Sequence, residues 1–246
     1  MGKEFDEALL KTNIFLDNKT TDEMALDYNI ENIENADGLF LTPDPEIDFK
    51  NKTYKINKNK ILVGLLNDQY KKNNTILLDQ LTHEIRHAVT NINNTNYFIE
   101  NDTLFYQRIG LSELIHNKEN KAILFNNNID EFFNVHFTEQ MINDILKYKD
   151  YNIKNDNILF FLKSLRKANF SSSYYILRLL LYPLTLNNEL MELVEHTTYY
   201  GNMKDLYYYF FDKGIYFAEY AQELEDVDNN LDAIKVKTMR LGGFNV

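Results

Sequence analysis

The amino-acid sequence predicts an α+β fold, with a small mixed β-sheet and one polar helix first and a mainly α-helical half after them. Strand-like apolar runs occupy residues 38–42 and 61–66, and a strand–turn–strand pattern follows at 96–109. From Asn128 onward, apolar residues recur at steps of three and four, as in helices that bury one face. We therefore divide the chain into an N-terminal α+β part, residues 1–125, and a helical part, residues 126–246.

The elements before residue 70 are short. Residues 3–17 are expected to form a helix, and the acidic stretch 18–37 has too weak a periodicity for any element to be assigned. Residues 38–42 read as a strand closed by a Pro-Asp-Pro turn, and 61–66 as a buried strand. Residues 52–56 alternate only loosely.

A longer helix is predicted next, beginning near the N-cap candidates Asn73, Asn74 and Thr75 and fading at 91–94. Its apolar positions recur at helical spacing, and we expect this stripe to face the core: Leu77, Leu78, Leu81, Ile85, Ala88, Val89 and Ile92. The polar residues between them should then face a cleft.

Beyond this helix, residues 96–100 and 103–109 flank Asn101-Asp102, which is typical of a β-hairpin. The apolar period then predicts a series of helices at residues 129–148, 157–168, 173–182, 186–199 and 203–222, with breaks at Pro183 and Gly201. The last third is rich in Tyr and Phe, which we assign to packing between these helices.

Composition excludes several classes of function. The formal net charge is −11, which disfavours nucleic acid and anionic membranes as partners. There is no cysteine, so any metal ligands must come from His, Asp and Glu. The N-terminus has no apolar signal region and no stretch is long enough to cross a membrane, so we expect a cytoplasmic protein, or a secreted one if a leader has been removed.

The motif H-E-x-x-H at His83, Glu84 and His87 is the strongest functional signal, because the chain has only five histidines. On a helix, residues four apart lie on one face, so the two imidazoles could bind one Zn²⁺ together. The adjacent Glu84 could take a proton from a water at the metal and pass it to a leaving amine.

A peptidase zinc site needs a third protein ligand and one open position. Since there is no cysteine, and no further histidine soon after His87, a carboxylate is the natural candidate. Residues 129–139 look helical and place Glu131, Val135 and Glu139 near one face. Three possibilities remain open from the residues alone: Glu131, Glu139, or no third ligand.

These motifs resemble those of the gluzincin-type zincin metallopeptidases, especially small bacterial zincin-like proteins whose second motif reads roughly L-D-E-G-I-N-E-Y-L-T-E. The resemblance covers about residues 38–140, and the second motif is matched or nearly matched at Ile129, Asp130, Glu131, Asn134, Thr138 and Glu139. It implies a zincin-like fold and zinc-dependent hydrolysis of a peptide or protein substrate. His83, His87 and Glu131 would be the metal ligands and Glu84 the catalytic residue. Glu131 follows His87 by 131 − 87 = 44 residues, a longer spacing than in thermolysin-like enzymes.

Two departures from the pattern favour a second hypothesis. Phe132 replaces a small residue, and Val135 replaces a second acid that would orient a ligand histidine. The chain could therefore be a binding or regulatory protein built on a zincin scaffold, with weak or no catalysis. A third hypothesis is a helical interaction protein in which the H-E-x-x-H sequence is accidental.

Other residues are expected to have supporting roles. The strand at 61–66 is expected to be the sheet edge that pairs with an extended substrate. Arg86 should form a surface ion pair, and His116 should lie in a solvated loop. Donors to the oxyanion of the reaction are sought among His136, His196, Tyr199 and Tyr200.

Overall fold

The computed structural model describes residues 2–30, 38–42, 44–66, 74–90, 96–119, 121–148, 179–200 and 202–245. It confirms the α+β class. The helices are α1 (Gly2–Leu10), α2 (Thr21–Asp27), α3 (Asn74–Thr90), α4 (Asn127–Tyr148), α5 (Asn188–Tyr200), α6 (Met203–Asp212), α7 (Phe217–Glu225) and α8 (Val227–Leu241), with a 3₁₀ helix at Tyr182–Leu186. The strands are β1 (Thr12–Asp17), β2 (Leu39–Leu41), β3 (Glu46–Asp48), β4 (Thr53–Lys55), β5 (Asn59–Gly64), β6 (Asn96–Ile99), β7 (Leu104–Ile109), β8 (Ser112–Asn117) and β9 (Ala122–Phe125).

The described residues fall into two compact units. One takes those among residues 1–92 and 137–164, and the other takes those among 93–136 and 165–246. The predicted division into 1–125 and 126–246 stays a prediction. No helix of the described ranges combines the length and apolar character needed to cross a lipid bilayer.

The first unit contains a three-stranded mixed sheet in the order β1-β5-β2. β1 runs parallel to β5, and β2 runs antiparallel to it. β5 is the central strand, and its residues Ile61, Leu62 and Val63 are fully buried. The expectation that 61–66 forms the sheet edge is therefore wrong, because this strand has a neighbour on each side. The strand itself is confirmed, as is the strand predicted at 38–42.

The start of the chain differs from the predicted helix over residues 3–17. α1 ends at Leu10, and the following residues form β1. The apolar residues at 14 and 16 fit a strand as well as a helix, and pairing with β5 decides for the strand. Within the acidic stretch, the structure adds α2, which begins with a capping box: Thr20 accepts from the backbone N–H of Glu23, and Glu23 accepts from that of Thr20.

The second unit contains a four-stranded antiparallel sheet in the order β6-β7-β8-β9. The predicted hairpin is confirmed as β6 and β7, with Phe98 opposite Phe105. β8 and β9 were not predicted, and in β8 the polar residues Glu113 and His116 interrupt the apolar pattern. Gly110, with φ of +61°, begins the two-residue turn from β7 to β8 in a conformation that a side chain would strain.

The helical half is confirmed where it is described. α4 and α5 match the predicted ranges 129–148 and 186–199, whereas 203–222 is broken into α6 and α7 at residues 213–216. The predicted helix at 157–168 and most of that at 173–182 lie outside the described residues. The aromatic residues divide between two environments: Tyr209 and Phe210 are buried, while Tyr208 and Phe211 are more than half exposed.

Candidate metal centre

Helix α3 carries both histidines of the H-E-x-x-H motif. The imidazole rings of His83 and His87 meet edge to face, with centroids 4.9 Å apart and an interplanar angle of 87°. This follows from the helical repeat, because residues four apart are stacked one turn above each other. His83 is buried and His87 is half-buried.

Glu131, on α4, joins the two histidines. One ligand atom from each of His83, His87 and Glu131 lies within 4.8 Å of the other two, so the three residues could hold a metal ion. The donor set is two imidazole nitrogens and one carboxylate oxygen, which suits zinc and other divalent transition metals. Glu139, the alternative considered from the sequence, is not part of this group of described residues.

Glu84 is held in place by its neighbours in the first unit. It is only 4% exposed, and its Oε1 accepts a hydrogen bond from Nε2 of Gln80, one turn earlier on α3. Gly38 lies directly against this pair: a Cβ at residue 38 would come within 2.8 Å of Gln80 Cγ and 3.0 Å of Glu84 Oε1. Glycine at this position therefore leaves the space that the two side chains use.

Phe40, two residues after Gly38, contacts the candidate ligand His87. Phe40, in β2, stacks on the ring of His87 with centroids 5.7 Å apart and an interplanar angle of 16°. Neither Gly38 nor Phe40 was expected at the site from the sequence. The available signal was a glycine followed by a short strand, which does not reveal the helix that this strand contacts.

The start of α4 is held by a backbone contact in the second unit. Asp130 accepts a 2.6 Å hydrogen bond from the backbone N–H of Leu111, in the turn between β7 and β8. A Cβ at Gly110 would lie 2.5 Å from Asp130 Oδ1, so glycine also permits this approach. Since Asp130 directly precedes Glu131, the contact restrains the backbone that carries the candidate ligand.

The polar face of α3 is more buried than was predicted. Leu77 and Leu81 of the predicted apolar stripe are half-buried, whereas His83, Glu84 and Arg86 are at most 9% exposed. Arg86 was expected at the surface, and that is wrong: it is 1% exposed, and its guanidinium lies 4.7 Å from the ring centroid of Phe137. An arginine over an aromatic ring gains a cation–π contact that offsets part of the cost of its burial.

His116, Phe132 and Val135 are all buried. His116 is not in a solvated loop but in β8, 1% exposed, with Nε2 3.1 Å from Oε1 of Gln107. Phe132 and Val135, which replace polar or small residues of the resembled motif, are both buried.

The proposed oxyanion donors stay predictions. His136 is half-buried on α4, whereas His196 and Tyr200 are exposed on α5 with ring centroids 4.8 Å apart. Tyr199, on the same helix, is half-buried.

Comparisons of the chain with protein-family models, curated proteins and solved structures gave no match.

Proposed function

We propose that this protein is a zinc-dependent metallopeptidase with a zincin-like site. The observation that carries the proposal is the grouping of His83, His87 and Glu131, two residues of a local motif and one that is distant in sequence. An accidental H-E-x-x-H sequence does not require a carboxylate from another helix to join its histidines. The absence of cysteine and the mixed nitrogen and oxygen donors favour a catalytic zinc site over a structural one, which usually contains thiolates.

The roles proposed for the residues follow from their positions. His83, His87 and Glu131 would hold the ion, and a bound Zn²⁺ supplies Lewis acidity that polarises the peptide carbonyl and acidifies water. Glu84, one residue after a candidate ligand, would act as the general base toward that water and would pass the proton to the leaving amine. The hydrogen bond from Gln80 and the space at Gly38 orient the Glu84 carboxylate.

An extended peptide would pair with β2. In the sheet β1-β5-β2 the outer strands are β1 and β2, and β2 is the one beside the site, because Phe40 stacks on His87 and Gly38, just before the strand, lies against Glu84. A substrate added antiparallel or parallel to this strand would gain main-chain hydrogen bonds that do not depend on its side chains. β2 would thus have the role that was expected of residues 61–66.

The test compares Glu84→Gln with the wild type for zinc content and for hydrolysis of an unfolded fluorescent protein substrate. We expect the variant to keep its zinc and to lose hydrolysis by a factor on the order of 10²–10⁴, the usual contribution of a general base. Glu119→Gln is the matched control, because this glutamate is 72% exposed in the β8–β9 connection. A fully active Glu84→Gln variant, or wild-type protein that holds no zinc after incubation with it, would overturn the proposal.

The second candidate function is a binding protein on the same scaffold, without catalysis. It is favoured by the buried, apolar Phe132 and Val135, which leave no acid at the position that orients a ligand histidine in the resembled motif. One bound zinc per chain, together with no hydrolysis by the wild type or Glu84→Gln, is the result that this candidate predicts.

A further inference from the structure

β1 is an outer strand whose apolar side chains lie in solvent. One edge of it pairs with β5 in an unbroken parallel register of six residues. None of the described strands pairs with its other edge. Ile14, Phe15 and Leu16 are 38%, 36% and 50% exposed. Because Phe15 points to the opposite face of the sheet from Ile14 and Leu16, both faces of this strand meet solvent.

Such an edge lacks the features that keep natural sheets from adding a further strand. Outer strands are usually protected by being short, by a bulge or a proline, or by a charged side chain within the strand. β1 has six residues, no break in its register, no proline, and no charge before its last residue, Asp17. The outer strands β2, β6 and β9 have only three, four and four residues. Among the described strands, β1 therefore offers the longest open edge.

The direction of the backbone groups shows which residues face this edge. The carbonyl oxygens of Lys11 and Asp17 point toward β5, because they accept hydrogen bonds from the N–H groups of Asn59 at 3.1 Å and Leu65 at 2.8 Å. Successive residues direct their main-chain groups alternately to the two edges of a strand. The even-numbered residues of β1 therefore direct their N–H and C=O groups to the open edge. These residues are Thr12, Ile14 and Leu16.

A second copy of the chain fits this edge in one register. When two copies pair antiparallel about a two-fold axis, residues that face outward must lie opposite residues that also face outward. With Ile14 opposite Ile14 of the second copy, Thr12 lies opposite Leu16 in both directions, and the pair gains about six main-chain hydrogen bonds. A register centred one residue to either side pairs only two of the three residues.

The charges at the ends of β1 are complementary in the same register. Lys11 lies three residues before Ile14 and Asp17 three residues after it, so each Lys11 is opposite Asp17 of the other copy. Both side chains are exposed, and the pair that Lys11 makes with Glu7 is an exposed one on the same helix end. Opposite charges directly across two antiparallel strands are stabilising, and the two-fold axis forms this pair twice. The self-complementarity favours a second copy of the chain over an unrelated extended segment.

We propose that two copies of this protein associate through β1, antiparallel and centred on Ile14, into one continuous six-stranded sheet. The strand order is β2-β5-β1 in one copy followed by β1-β5-β2 in the other, so the β2 edge beside the candidate metal centre stays free in each copy. Ile14 and Leu16 contact their counterparts on one face of the new strand pair. The proposal does not depend on zinc binding or on hydrolysis.

The test measures the molar mass of the full-length protein by sedimentation equilibrium, from about 1 to about 100 μM protein in about 0.15 M salt. We expect the wild type to be dimeric at the higher concentrations. Leu16→Lys puts a charge in the middle of the new sheet and should raise the dimer dissociation constant about 100-fold or more. Ile123→Lys is the matched control, because Ile123 is an apolar residue of the outer strand β9 and is 61% exposed. This control should dimerise as the wild type does.

An exchange of charges tests the register. Lys11→Glu and Asp17→Lys each place like charges opposite each other twice, and each should weaken the dimer by about 10-fold. The double variant places opposite charges across the axis again and should recover the wild-type dissociation constant. Circular dichroism shows that each variant is folded.

Ile14→Pro blocks the edge without a new charge. The N–H that it removes points away from β5, so the sheet of the single copy does not need it, and the variant should be monomeric. A wild type that is monomeric at about 100 μM would leave this edge to a different partner and would overturn the proposal. Equal dissociation constants for the wild type and Leu16→Lys, loss of the dimer in Ile123→Lys, or a double charge variant no tighter than the single ones would also overturn it.

Discussion

Phe40 and His87 lie almost parallel, with an interplanar angle of 16° and ring centroids 5.7 Å apart. The two residues come from a short strand and a helix that are far apart in sequence. An imidazole that binds a metal through one nitrogen must keep a fixed ring orientation, and here a flat aromatic face restrains that ring. The contact explains why a three-residue strand can matter for a site carried by helices.

Replacing Phe40 by leucine should weaken zinc binding by about 10-fold, the lower end of the range for residues that orient a metal ligand. Leucine keeps apolar volume but loses the flat face against His87. Competition with a fluorescent zinc chelator measures the affinity. Phe15→Leu, a half-exposed aromatic on β1, is the control and should leave the affinity unchanged. Equal losses in both variants would contradict a specific role for Phe40.

Replacing Glu131 by glutamine should lower zinc affinity by more than the ~10–100-fold that follows the loss of a supporting residue. The amide is neutral and a poorer ligand, so the ion keeps only two good donors. Glu139→Gln, on the same helix but outside the metal group, should retain its zinc. Zinc stoichiometry after dialysis distinguishes the two variants. Loss of zinc from Glu139→Gln but not from Glu131→Gln would assign the third ligand to Glu139.

Adding a methyl group at Gly38 should reduce hydrolysis while leaving zinc in place. In Gly38→Ala the new Cβ would lie 3.0 Å from Glu84 Oε1 and 2.8 Å from Gln80 Cγ, so these side chains must move. We expect kcat/KM to fall by about 10-fold or more, part of the 10²–10⁴-fold contribution of a general base. Zinc content and circular dichroism show whether the site and the fold persist. Unchanged kcat/KM would mean that the Glu84 position is not critical.

Removing the Asp130 carboxylate should destabilise the second unit. Asp130→Ala leaves the buried backbone N–H of Leu111 without its 2.6 Å acceptor, which costs about 1–3 kcal/mol. Urea unfolding measures the loss. Asp212→Ala removes an exposed carboxylate at the end of α6 and should change stability by less than ~0.5 kcal/mol. Comparable effects would show that the Leu111 contact contributes little.

Deprotonation of the buried Tyr220 hydroxyl should make the protein less stable at alkaline pH. Burial raises the pKa of its hydroxyl above the ordinary value of 10.0, although the 2.6 Å contact with Thr238 opposes this shift. Because the pKa of Tyr220 is higher in the folded than in the unfolded state, its contribution to the free energy of unfolding is complete below about pH 10. That contribution declines as the pH increases beyond this value.

The corresponding experiment is urea unfolding of the wild type and Tyr220→Phe from about pH 8 to about pH 11, on either side of the ordinary tyrosine pKa. The variant should lose about 1 kcal/mol at the lower pH, because Thr238 loses its partner, and should show a flatter decline above pH 10. Tyr216→Phe, at a residue 64% exposed, should follow the wild type. Parallel declines in Tyr220→Phe and wild type would exclude Tyr220 as the cause.

Local patterns predicted the elements whose geometry depends on nearby residues. The apolar period of α3 and α4 and the Asn101-Asp102 turn are short-range signals, and the structure confirms the elements they indicated. The spacing of apolar residues at 12–17 fits both a helix and a strand, and pairing with β5 makes this segment the strand β1. β8 was missed because Glu113 and His116 interrupt its apolar pattern, although both are held there by hydrogen-bond partners outside the strand.

The sequence by itself determined that His83 and His87 share one helical face, because that relation depends only on a repeat of four residues. Only the tertiary structure decided that Glu131 joins them from 131 − 87 = 44 residues away, that β5 is the central strand of its sheet, and that Arg86 and Arg108 are buried. These features depend on which elements pack together, and the free energy of such packing is a sum of long-range contacts that no local pattern encodes.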